Sequence, residues 1–137
     1  MVVDLEGKTH VRIERDTDVV LACQKGRILA EASGFSGNDQ AVIIVAISEI
    51  ARNILEHAGK GTLTLSPLRA DRRCGIEVTA EDDGPGIPDV NRALQDGYST
   101  GAGLGIGLPG AKRLMDEFDL VSEVGNGTKV VMKKWQA

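Results

Sequence analysis

Apolar and polar residues follow two rhythms along this chain. His10-Val11-Arg12-Ile13-Glu14 alternates with period two and predicts a first strand. Asp16 or Thr17 can cap a helix that runs to Ser33 and stops at Gly34, with Val19, Val20, Cys23 and Ile28 as an uneven apolar stripe. Ser36 to Asn38 can cap a second, longer helix ending at Gly59, and Ile43, Ile47, Ile50 and Ile54 fall on one face of it. Thr62-Leu63-Thr64-Leu65 and Ile76-Glu77-Val78-Thr79-Ala80 read as paired strands, with Pro67 to Gly75 as the turn between them. Asp83 to Pro88 reads as a loop and Asp89 to Leu94 as one or two helical turns, while Asp96 to Gly107 is glycine-rich and has no hydrophobic period. A helix is predicted over Leu108 to Phe118. Leu120 to Val124, the turn Gly125-Asn126-Gly127 and Thr128 to Trp135 make a closing hairpin. Strands and helices mix without strict βαβ alternation, which predicts an α+β two-layer sandwich with helices on one face of a mixed β-sheet. There is no repeat or linker, so residues 1–137 read as a single domain.

Composition narrows the function classes. Aromatic residues are only 3% of the 137, so Val, Ile, Leu and Ala must fill the core. The net charge of −4 and the lack of a long Lys/Arg run argue against a nucleic-acid partner. No apolar stretch approaches the ~20 residues of a membrane span, so no membrane partner is expected. The first residues, Met1-Val2-Val3-Asp4-Leu5-Glu6, carry no basic segment before an apolar one, so the expected location is cytoplasmic. Cys23 and Cys74 belong to no metal-spaced cluster and read as reduced thiols.

Candidate chemistry lies in two glycine clusters. Asp82-Asp83-Gly84-Pro85-Gly86 follows an apolar strand, and Gly101-Ala102-Gly103-Leu104-Gly105-Ile106-Gly107 opens a helix. Glycines let backbone approach a ligand closely, and the N–H groups of a helix start favour an anion. Gly84, Gly86, Gly103, Gly105, Gly107 and Leu108 are therefore candidate nucleotide-binding residues; Pro109 in the first turn costs no hydrogen bond. Asp82 can accept a hydrogen bond from the exocyclic amine of adenine and would repel the O6 of guanine. Asp83 reads as a turn residue. No Gly-Lys-Ser/Thr occurs, so this is not a Walker loop. The spacing Gly105-x-Gly107-x-x-Gly110 is not a dinucleotide fingerprint either, because no strand precedes it. Glu49 and Asn53 sit four apart and project from the same face of the second helix. An Asn53 oxygen together with phosphate oxygens suits Mg²⁺, and Glu49 can serve as general base.

Taken together, Glu49-Ile50-Ala51-Arg52-Asn53, Asp82 to Gly86, Gly103 to Gly107 and Gly127-Thr128 resemble the four boxes of the Bergerat-fold ATP site of the GHKL superfamily. Ala58-Gly59-Lys60-Gly61, Gly107-Leu108-Pro109-Gly110 and Lys112 to Phe118 extend the resemblance to the small anti-sigma-type serine/threonine kinases of stressosomes. The resemblance spans Val11 to Trp135. It implies a kinase that uses ATP and Mg²⁺ to phosphorylate Ser or Thr on STAS-domain scaffold proteins. Once released, such a kinase binds and activates a PP2C-type phosphatase. It also implies that Thr128 helps hold the adenine-side Asp and a water. Arg52 and Lys112 are candidates to neutralise phosphate charge, and His57 reads as a solvated helix-end residue. No phosphoacceptor histidine lies in a helical hairpin, so a sensor histidine kinase is set aside. The alternative is a nucleotide-switched binding module such as an anti-sigma factor; intact Glu49 favours catalysis.

The stretch from Asp96 to Gly107 has few side chains able to pack. Its composition predicts a lid that gains order only with Mg·ATP. Amide exchange at Ser99 to Ile106 is expected to slow when a non-hydrolysable ATP analogue is added. Strong protection in the nucleotide-free protein would overturn the lid.

Overall fold

The computed structural model describes residues 7–87 and 107–136. The short helix expected over Asp89 to Leu94, the lid segment up to Ile106, and Gly103 and Gly105 lie outside the described residues. In chain order the elements are β1 (Thr9–Ile13), α1 (Asp16–Ala32), α2 (Gly37–His57), β2 (Gly61–Ala70), β3 (Arg73–Asp82), α3 (Gly107–Leu114), β4 (Glu117–Ser122) and β5 (Thr128–Trp135). The strands form one sheet in the order β1-β2-β3-β5-β4.

Period two separates the faces of this sheet. Leu63, Leu65, Ile76, Val78, Ala80, Val130 and Met132 are buried toward the helices. On the opposite face Lys129 pairs with Glu81 at 3.5 Å and Lys133 with Glu77 at 3.8 Å. The isoleucine stripe of α2 covers the buried face: Ile43, Ile47, Ile50 and Ile54 are at most 2% exposed. The α+β architecture therefore follows the hydrophobic pattern.

Four details differ from the sequence reading. First, every pairing is antiparallel rather than mixed. β4 runs parallel to β3, but β5 lies between them and pairs with both. Second, Pro67 to Gly75 is not a turn. β2 and β3 stay paired to Ala70↔Arg73, leaving only Asp71 and Arg72 to reverse the chain, with Asp71 at φ 53°. Pro67 is tolerated because the β1–β2 pairing ends at Thr9↔Leu65, so among the described residues no strand is bonded to β2 on that side at Pro67.

Third, the last helix ends at Leu114, not Phe118. The Asp116 N–H donates to the Lys133 carbonyl (2.9 Å), and the Asp116 carboxylate accepts from the Trp135 N–H (2.7 Å), which draws the chain into the sheet. Phe118 packs on the core from β4. Fourth, neither Asp16 nor Thr17 caps α1. Asp18 reaches back instead, and its carboxylate accepts from the Glu14 and Arg15 N–H groups at 2.9 and 3.1 Å. For α2 the Ser36 hydroxyl accepts from the Asp39 N–H at 3.2 Å, as the capping pattern predicts.

The uneven stripe of α1 has a packing reason. Its inner face is made of Val19, Ala22, Gly26 and Ala30, while Val20 and Ile28 are 58% and 61% exposed. Small residues bring α1 close to α2, and a Cβ on Gly26 would collide with Ile47. Cys23 sits in the same seam, where burial pushes its thiol pKa up and favours the protonated thiol.

α2 also lies tightly on the end of the sheet. A Cβ on Gly61 would stand 2.5 Å from the Glu81 carbonyl oxygen and 2.8 Å from Ile54 Cγ2. The strand carbonyl cannot yield without breaking its ladder. Gly61→Ala is therefore expected to cost about 1–3 kcal/mol by overpacking, read as a lower urea midpoint. An unchanged midpoint would mean that α2 is not seated against β2 at this point.

Candidate active site

The end of the sheet beneath α2 gathers residues from four elements. β3 delivers Asp82 as its last residue. Across the ladder Asp82 pairs with Thr128 of β5, and Thr128 pairs with Ser122 of β4. Directly opposed residues share a face, so these three form a row on the helix-facing side, in line with buried Ala80 and Val130. Thr128 is itself buried.

The loop after β3 is held by its own glycines. The Asp82 Oδ1 accepts from the Gly84 N–H at 2.9 Å, a side-chain turn. A Cβ on Gly84 would lie 2.6 Å from Ala58 Cβ at the end of α2. Gly86 has φ +80°, and a Cβ there would strike the Glu123 carbonyl. The Gly125 N–H donates to the Pro85 carbonyl at 2.8 Å, tying the β4–β5 turn to the same loop. Gly84 and Gly86 thus shape the loop that presents Asp82. Gly127 allows a similar approach: with φ +79°, its missing Cβ leaves room for the Asp82 carbonyl.

α2 contributes the second group. Glu49 is only 6% exposed although it carries a carboxylate. Its Oε2 accepts from the Gly107 N–H, the first residue of α3, at 3.2 Å. A carboxylate at a helix start is favoured by the exposed N–H groups there. Asn53 lies one turn further along α2 and is half-buried. Leu108 is buried in the first turn of α3. Arg52 is turned toward α1, where its charge bears on the Cys23 thiol. Lys112 is exposed on α3, and His57 is half-buried at the end of α2.

A cleft of about 560 Å³ opens at this end of the sheet. Its volume is that of a small-molecule site, within the usual ~300–1,000 Å³. Asp82, Gly84, Gly127, Thr128 and Ser122 line it, with Arg12, Lys60, Glu81 and Lys129 toward the opposite face of the sheet. Glu49 and Asn53 are not in its wall; they stand in the helical layer above. The described structure thus holds a cleft at the end of the sheet with Asp82 in its wall, and a carboxylate–amide pair on α2 outside that wall. Among the described residues no cluster of three His, Cys, Asp or Glu side chains could hold a metal alone. The fitting donor set is the neutral Asn53 oxygen supplemented by ligand oxygens, which suits Mg²⁺ carried on a nucleotide.

Ser122 was not singled out by any motif. Its signal is positional: the Gly125-Asn126-Gly127 turn sets a register that places Ser122 opposite Thr128. Arg12 enters the cleft wall from β1 with no motif to announce it, and Lys60, named above only as part of Ala58-Gly59-Lys60-Gly61, enters from the turn before β2.

The chain is similar to known proteins in sequence and in fold. Residues 38–136 match the family described as histidine kinase-, DNA gyrase B-, and HSP90-like ATPase. The chain is 50% identical over 131 residues to the serine/threonine-protein kinase RsbT of Bacillus subtilis, covering 96% of this chain and 98% of that protein. It is 35% identical over 101 residues to an anti-sigma F factor of Caldanaerobacter subterraneus, covering 69% of each. In fold it is similar to the RsbU and RsbW domains of a Mycobacterium tuberculosis protein (TM-score 0.63, 18% identity). That match covers 95% of this chain and 33% of the other. It is also similar to the mycobacterial sensor histidine kinase MprB (TM-score 0.55, 15% identity), covering 93% and 96%.

Exchanging Asn53 for Ala removes the candidate Mg²⁺-binding oxygen of α2. Mg²⁺-dependent nucleotide affinity is expected to fall by more than about ten-fold. Glu49→Gln keeps an acceptor for the Gly107 N–H and should leave affinity within about three-fold. Calorimetric titration with and without Mg²⁺ reads both; equal losses in the two variants would contradict the division of roles.

Proposed function

The chain belongs to the histidine kinase-, DNA gyrase B-, and HSP90-like ATPase family and is a serine/threonine-protein kinase, and we propose that it phosphorylates STAS-domain scaffold proteins of a stressosome and, once released, binds and activates a PP2C-type phosphatase. The observation that carries the catalytic part is the buried Glu49 carboxylate, with Asn53 one turn away and the first N–H of α3 against it. A module that only sequestered a partner would have no need of a general base in that position.

In this reading Asp82 and Thr128 receive the adenine, and Gly84 and Gly86 keep the Asp82 loop in shape. Gly107 and Leu108 present the start of α3 to the phosphates, and Gly103 and Gly105 would bind them as well. Asn53 would hold Mg²⁺, whose charge offsets that of the β- and γ-phosphates. Glu49 orients the acceptor hydroxyl and takes its proton as the oxygen attacks the γ-phosphorus. The bond from that phosphorus to the bridging oxygen breaks and ADP leaves. Positioning and charge neutralisation supply most of the acceleration in such transfers. The reaction consumes ATP and belongs in the cytoplasm. No helix among the described residues is long and apolar enough to cross a membrane.

A second reading, a nucleotide-switched anti-sigma factor, is favoured by the relatives of that name at 32–35% identity over about two thirds of the chain. The two are separated by incubation with γ-labelled ATP and purified STAS-domain proteins. The kinase reading expects label on a STAS Ser or Thr, lost by more than about 100-fold in Glu49→Gln, as for removal of a general base. Absence of label, together with a nucleotide-dependent complex with a sigma factor, would favour the second reading.

A further inference from the structure

The hydroxyl of Ser122 lies at the centre of a small network. The Ile87 N–H points at Ser122 Oγ at 2.7 Å. Ser122 Oγ stands 3.1 Å from the Gly127 carbonyl and 2.8 Å from Thr128 Oγ1. A serine hydroxyl has one proton and two lone pairs. The amide of Ile87 can only donate, so it uses one lone pair. The carbonyl of Gly127 can only accept, so it takes the single proton. The contact with Thr128 must then use the second lone pair, and Thr128 must be its donor. The proton positions are assigned by this inventory, which satisfies all three capacities of Ser122 at once.

Thr128 is left with two lone pairs and no free proton. It shares the row and the cleft with Asp82, whose Oδ1 already accepts from Gly84. The cleft therefore offers acceptors from two strands and no hydroxyl donor from Thr128. We propose that Ser122 is a positioning residue for nucleotide choice: by taking the Thr128 proton it keeps Thr128 an acceptor, so that the cleft selects a purine carrying an exocyclic amine at C6 over one carrying a carbonyl there. The inference rests on the reading that Asp82 and Thr128 receive the base. Asp82 supplies the charge, and Ser122 fixes the polarity of its neighbour. Without Ser122 the Thr128 proton is free to turn into the cleft and donate to the O6 of guanine or hypoxanthine.

The test is calorimetric titration of Mg·ATP, Mg·GTP and Mg·ITP into the full chain and its variants. The wild type is expected to favour ATP over both others. Ser122→Ala should lower the ATP/GTP and ATP/ITP affinity ratios by about five-fold, the worth of one neutral hydrogen bond gained by the carbonyl purines. Ser122→Thr, which keeps the hydroxyl, should restore the ratios. In a Thr128→Val background, where no hydroxyl remains to be oriented, adding Ser122→Ala should leave the ratios unchanged. That background also serves if Ser122→Ala alone loosens the Ile87 loop: a purely structural role lowers all three affinities together and leaves the ratios fixed. Fixed ratios in Ser122→Ala, with a wild type that prefers ATP, would overturn the role of Ser122 alone. A wild type that binds the three nucleotides equally would overturn the adenine reading of Asp82 and, with it, this inference.

Discussion

α2 can lie on the end of the sheet only because two residues beneath it have no side chain. At Gly61 the space a Cβ would need is held by Ile54 and the Glu81 carbonyl; at Gly84 it is held by Ala58. These contacts fix the last turns of α2 against β2 and against the loop leaving β3. Everything chemical in the molecule depends on that seat. It sets the height of Glu49 and Asn53 over the row in which Asp82 stands, so candidate groups from two layers gather at one end of the sheet. Reacting atoms tolerate little misplacement, and a rigid helix on a close-packed sheet supplies the required precision.

The electrostatics are arranged with the same economy. The carboxylate of Glu49 is withdrawn from water but meets the N–H of Gly107 at the start of α3. Burying such a group without a partner would cost several kcal/mol, on the order of 2–7 for a polar group alone. The contact also joins α2 to the start of α3. The ion pairs Lys129–Glu81 and Lys133–Glu77, by contrast, decorate the open sheet face. An exposed pair such as Lys129–Glu81 contributes about 0–1 kcal/mol. The two pairs keep the open face polar rather than hold the fold.

Much of this was legible in the residues, for identifiable reasons. The α2 stripe is four isoleucines at helical spacing, and the closing hairpin is marked by Gly-Asn-Gly, so period and turn chemistry agreed there. Where they conflicted, the reading failed. Pro67 looked like a turn because proline breaks ladders, yet it lies past the last β1–β2 pair, where no described strand needs its N–H. The inner face of α1 was obscured because Ala22, Gly26 and Ala30 are small and the conspicuous Val20 and Ile28 point outward. The candidate site residues divide in the same way by how visible they are in the sequence. Glu49, Asn53 and Asp82 stood out as polar residues at the margins of apolar elements. Ser122 did not, because its importance lies in cross-strand register and not in its neighbours along the chain.

The central claim is that Asp82 from the sheet and Glu49 with Asn53 from α2 serve one bound nucleotide. A crystal structure of the protein with Mg²⁺ and a non-hydrolysable ATP analogue tests it most directly. The account predicts the adenine amine within hydrogen-bond distance of the Asp82 carboxylate and of Thr128, with the terminal phosphate reaching Asn53 and Glu49. A base lodged instead on the open sheet face between Arg12 and Lys129, or phosphates directed away from α2, would contradict it.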